Sequence, residues 1–227
     1  ISGTYYNFNL DGATTAVGSF YGLTDEQKAV LVDGEKITVY GYFVSISKSS
    51  GAPKFVNFIT THINETPAVA NNYTSVLGTA VLNDAVEVKG YISAVSSQGP
   101  ILTDNGGSVL LYKTTGYEIG DEVTVSGTIS SYNCGFQIGT AGLTIEKTGT
   151  TTVTYPTAVE LTGAMMDELL TTRTTDEYAQ FVKIVGTVAI SGNFYNFNVD
   201  GATTAVGSFY GLTDEQKAVL VDGEKTT

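Results

Sequence analysis

The chain has 227 residues, a net charge of −12 and only 11 Lys plus Arg, with 42% hydrophobic and 15% charged residues. That is enough apolar material for one or two folded cores, and no run of about 18 or more apolar residues marks a membrane span. A broad negative field works against binding phosphate backbones, whose recognition rests on neutralising charge, so nucleic acid is not an expected partner.

In chain order, residues 5–10 and 13–21 predict a β-hairpin turning at Asp11-Gly12. Residues 24–33 predict a helix: Thr24 is the N-cap, Gln27 completes a capping box and Gly34 ends it. Residues 37–47 and 54–61 read as strands. Pro67 opens a second segment with a helix-like stretch over 68–78. Residues 85–95 read as a strand bent at Gly90. A hairpin follows, 99–102 and 108–112, around Asp104-Asn105-Gly106-Gly107. Residues 121–130 alternate, with Val123 and Val125 on one face, and 133–138 with 143–146 supply a last strand. Pro156 opens a third segment, with a short helix over 161–170 capped by Thr162 and a strand over 181–190. The Thr runs at 148–154 and 171–175 read as linkers.

The third segment then repeats the first. Residues 190–225 match residues 1–36 at every position except Thr4/Asn193, Tyr5/Phe194 and Leu10/Val199. Near-identity at a fixed offset is the mark of recent tandem copying, as in repeat arrays. The chain therefore reads as a window on a longer repeating polypeptide. Half a module exposes unpaired strand edges, so each end is expected to need a neighbour.

A long strand with a mid-strand Gly, a D-x-G hairpin, and then Gly120, Asp121, Val123, Val125 and Gly127 resemble an OB-fold, a five-stranded Greek-key barrel. Gly34, Glu35, Ile37, Val39 and Gly41 repeat the same pattern in the first segment. The resemblance implies a mainly β chain of tandem OB-like barrels with short helices, part of a repeat array. The expected modules are 1–63, lacking its first strand; 64–155, complete; and 156–227, the start of a third.

The aromatic hairpin is the one candidate ligand site. OB-folds that bind single strands or oligosaccharides stack them on strands two and three. Tyr5 and Tyr21 would stack, with Asn7 and Asn9 as polar readers. The competing reading is that one face of the hairpin fills a barrel and the other packs on a neighbouring module.

No catalytic residue is assigned. His62 is the only histidine, and no nucleophile–base pair or His/Cys metal cluster appears. The acid-rich turns at Asp11, Asp104, Asp121 and Asp200 lack the spacing of a calcium loop and read as solvated. The adjacent carboxylates Asp167-Glu168 and Asp176-Glu177 read the same way. Cys134 is single, which excludes an intramolecular disulfide, and reads as a small buried residue. The sequons at Asn64 and Asn72 carry weight only in a glycosylating pathway.

The expected function is a structural segment of an extracellular or cell-surface repeat or filament, with no enzymatic activity, no cofactor and no metal. Its expected partners are neighbouring copies of itself. The alternative is a tandem OB-fold binding module for single-stranded nucleic acid or oligosaccharide.

Overall fold

The computed structural model describes residues 7–10, 17–21, 31, 34–49, 52–64, 73–191, 194–209, 222 and 224–225. The protein is mainly β, with a closed five-stranded barrel and one short helix among the described residues. The helix expected over 24–33 lies outside them, apart from Leu31.

The barrel is built from β5 (Ala85–Ala94), β6 (Ile101–Thr103), β7 (Ser108–Leu111), β8 (Asp121–Tyr132) and β9 (Gly135–Ile138). Antiparallel pairing joins β5 to β6, β6 to β7, β5 to β8 and β8 to β9. The parallel pair β7–β9 closes the ring. This mixed closure is compatible with an OB-like fold. Val123, Val125 and Ile129 of β8 point inward at a period of two and join Val88, Ile92, Leu102, Val109, Leu111 and Ile138 in one core.

The expected last strand is split in two. After β9 the chain loops out over 139–143 and returns as β10 (Thr144–Thr150), which pairs with the first half of β8. The mid-strand glycine is required by a close approach: a Cβ at Gly90 would sit 2.3 Å from the Thr103 carbonyl oxygen.

The segment before β5 is not helical where it is described. Residues 73–79 are irregular and turn. The N–H groups of Val76 and Leu77 donate instead to the Asp104 carboxylate, at 2.6 and 2.9 Å. That carboxylate also accepts from Gly106 and Gly107. Asp104 is therefore a buried clamp, not a solvated turn residue.

The second sheet draws on both ends of the chain: β1 (Asn7–Leu10), β2 (Val17–Tyr21), β3 (Gly34–Ser49), β4 (Ala52–Ile63), β11 (Val159–Glu160), β12 (Gln180–Ser191), β13 (Phe194–Val199), β14 (Val206–Phe209) and β15 (Glu224–Lys225). Its pairings also close a ring. The antiparallel pairs β12–β13, β13–β14, β3–β4 and β12–β3 are joined by the parallel pair β14–β4. The order matches the first barrel strand for strand, with three strands from residues 180–209 and two from residues 34–63. Phe20, Ile37, Val39, Phe43, Phe58, Val182, Ile184, Val188 and Val199 fill it.

Helix α1 (Gly163–Thr172) begins two residues later than expected, with Thr162 as its N-cap accepting from the Met165 N–H at 3.3 Å. It lies against the β13–β14 turn. Asp167 accepts the N–H groups of Thr203, Thr204 and Ala205 and the hydroxyls of both threonines. The 163–172 helix and the 73–79 segment thus do the same job. Each precedes the first strand of its ring and ties down the turn between strands two and three. The carboxylate comes from the turn in one case and from the helix in the other. The Thr runs are likewise not free linkers: 148–150 lie in β10 and 171–172 end α1.

Candidate functional site

Among the described residues, a cluster of aromatic and polar side chains lies between the two rings. In β6 and β7, Leu102, Val109 and Leu111 face the barrel core, whereas Ile101 and Leu110 alternate to the outside. On an isolated OB-like barrel this outer face of strands two and three would be the ligand surface. Here it is covered by Tyr42 and Val44 of β3, Ile59 of β4, Phe181 of β12, and Tyr155.

Phe181 sits at the centre of this layer. Its ring stacks on Tyr155 at 5.0 Å, tilts against Tyr42 at 5.3 Å and lies 6.3 Å from Tyr40. His62 meets Tyr155 edge-on at 4.8 Å. The ring centroids fall within the range where aromatic pairs attract beyond their area burial.

The polar groups of the layer answer one another. Thr103 Oγ1 lies 2.7 Å from Ser93 Oγ, 2.8 Å from Ser108 Oγ and 3.3 Å from the Tyr42 hydroxyl. The Tyr155 hydroxyl donates to the Ser93 carbonyl at 2.9 Å, and that of Tyr91 to the Thr154 carbonyl. Burial pushes the phenols of Tyr42, Tyr91 and Tyr155 above their ordinary value, because a phenolate would lose its hydration there. At the rim, Tyr73 donates to Glu122 at 2.5 Å; burial first, and then the hydrogen bond to Glu122 and its charge, raise it to about 12.

Arg173, the one arginine, is a second tie between the rings. Its Nε and Nη2 donate to the Cys134 carbonyl at 3.1 and 2.9 Å, and its Nη1 lies 3.7 Å from the Glu177 carboxylate. Its guanidinium covers the Phe43 ring at 4.2 Å. Burial lowers its pKa, with Glu177 opposing the shift, and a guanidinium still stays protonated. Cys134 is therefore not a core residue. It occupies the β8–β9 turn with φ +62°, next to Asn133 at φ +48°, and its thiol donates to the Arg173 carbonyl at 3.4 Å. Glu177 is likewise an ion-pair partner and not free surface charge.

A cleft of about 290 Å³ opens beside this layer, lined by Tyr91, Asp104, Asn105, Ser108, Thr154 and Tyr155. Tyr91 and the Asp104 carboxylate are already engaged in the bonds above.

Of the residues proposed from sequence, Tyr5 lies outside the described residues. Asn7, Asn9 and Tyr21 lie on β1 and β2 as backbone, on neighbouring strands of one hairpin. Their counterparts in the second copy are informative: Asn196, matching Asn7, is buried, and Asn198, matching Asn9, is half-buried. Sequence reasoning missed Phe181, Tyr42 and Tyr155. The available signal was the double burial of 101–103 and 108–111, in which apolar residues occupy both faces of a hairpin.

Among the described residues no group of three or more His, Cys, Asp or Glu side chains is placed to hold a metal ion, and no helix is long and apolar enough to cross a membrane. No protein-family model, curated protein or solved structure matches the chain.

Proposed function

We propose that this chain is a structural segment of an extracellular or cell-surface repeat protein, in which OB-like barrels stack to give reach, adhesion or a fibre. The observation that carries the reading is the covered outer face of β6 and β7. The surface on which an OB-like barrel would hold a ligand is packed against the neighbouring ring through Phe181, Tyr42 and Tyr155. A layer of this kind transmits load between modules, because a packed apolar interface resists bending as a domain core does. The near-identity of residues 1–36 and 190–225 supports an array in which the same joint recurs. Low charge and a wealth of Thr, Asn and Tyr suit an exposed position outside the cell.

Negative-stain electron microscopy of the native, uncut material tests this reading. The expected result is beaded rods or filaments with an axial period that accommodates two small barrels. Discrete compact particles would overturn it and move attention to ligand binding at residues 5–21.

A further inference from the structure

The cleft of about 290 Å³ beside the aromatic layer has one wall that the fold does not account for. Thr154 is buried, and its Oγ1 has no hydrogen-bond partner within the protein. Its carbonyl accepts from the Tyr91 hydroxyl, so the residue is held through its backbone while its side chain is left over. A buried hydroxyl without a partner costs stability that a valine of the same shape would not. Buried polar groups are otherwise almost always paired, so this one calls for a specific explanation. A ligand that supplies the missing bond is such an explanation.

The other lining groups narrow the ligand. The Asp104 carboxylate is filled: one oxygen takes the N–H groups of Gly106 and Gly107, the other those of Val76 and Leu77. It has little left to offer a cation. Among the described residues no Lys, Arg or His lines the cleft to attract an anion. Asn105 stands exposed at the rim, and its carboxamide bonds to nothing in the protein. It offers two donors and an acceptor. Tyr91 and Tyr155 add ring surface, because their hydroxyls are engaged by the Thr154 and Ser93 carbonyls. Ring surface with a few neutral polar groups, in a cleft of about this volume, is the make-up of a small-molecule site. The matching chemistry is neutral and dense in hydroxyls, since each hydroxyl donates to one group and accepts from another.

We propose that this cleft binds a neutral saccharide, with one sugar ring bonded to Thr154 Oγ1 and to the Asn105 carboxamide. The site lies between the β6–β7 turn and the connection that follows β10. It is separate from the covered outer face of β6 and β7 and from residues 5–21. It does not depend on the structural reading above, since a rod and a compact particle would carry it alike.

Amide NMR spectra of the isotope-labelled chain, titrated with maltose, cellobiose, lactose, mannobiose and chitobiose, test it. At least one of these sugars should shift the amides of Asn105, Gly106, Gly107 and Ser108 saturably. Thr154→Val and Asn105→Ala should each weaken that sugar about tenfold, the order of one hydrogen bond. Thr154→Val removes a hydroxyl that the fold leaves unpaired, so its denaturation midpoint should equal or exceed that of the parent chain. A lower midpoint would assign the hydroxyl to the fold and overturn the proposal. So would the absence of shifts with all the sugars, the cleft then holding solvent alone, or shifts that both variants leave unchanged. The best sugar coupled to beads through its reducing end separates two sources. Retention on the beads supports a surface glycan, and binding of the free sugar alone supports a small soluble saccharide.

Discussion

The guanidinium of Arg173 lies 4.2 Å from the centre of the Phe43 ring while donating twice to the Cys134 carbonyl. One side chain thus joins the wall of the terminal ring to the β8–β9 turn of the barrel. Lysine carries the same charge but has neither the planar fork nor the flat face. Arg173→Lys should cost about 2–4 kcal/mol, the order expected when a buried charge loses its partners. Chemical denaturation with a fluorescence readout checks this; a loss below about 0.5 kcal/mol would show the tie to be incidental.

Asp167 makes the turn at 203–205 sensitive to acid. Burial pushes its carboxyl up, but the N–H groups of Thr203, Ala205 and Thr204 outweigh burial and hold it below the usual carboxylate range. A depressed folded-state value means that the carboxylate stabilises the fold above its unfolded value of about 3.9. That stability is lost as pH falls through the lower folded value. Asp167→Asn should cost about 1 kcal/mol at pH 7, and its stability should converge with that of the parent chain in strong acid. Unfolding midpoints from pH 2 to 7 report the convergence.

The buried tyrosines act at the other end of the scale. Burial raises Tyr42, Tyr91 and Tyr155, so each contributes stability that is fully present below about pH 10, the unfolded value. It is lost as pH climbs toward the folded values. Stability should therefore fall above pH 10, and Tyr155→Phe should make that fall shallower while costing about 1 kcal/mol at neutral pH for the bond to Ser93. Denaturation curves at pH 8 to 11 measure both effects.

Gly90→Ala tests the barrel itself. The added methyl would lie 2.3 Å from the Thr103 carbonyl oxygen, so the β5–β6 pair must shift. A cost of about 1–3 kcal/mol is expected, as for other overpacked sites. A further sign would be faster hydrogen exchange at Ile92 and Leu102, which face each other across that pair.

The mainly β composition, the positions of most strands and the capping of α1 by Thr162 are legible in the sequence because they depend on neighbours a few residues away. Alternation writes β8 as Val123, Val125 and Ile129, and the repeat is visible by inspection. The fates of Asp104, Asp167 and Cys134 are not legible, because each is decided by a partner at least 27 residues distant. A turn acid and a clamp acid look alike until the N–H groups they meet are known. The same holds for β6 and β7, whose outer face is apolar for the sake of Phe181, about 70 residues onward. By itself the sequence determined the strands and the duplication of the hairpin, through local periodicity and chemical identity. Only the tertiary structure decided that strands from residues 34–63 and 180–209 share one ring, because register is a relation between distant segments and has no local signature.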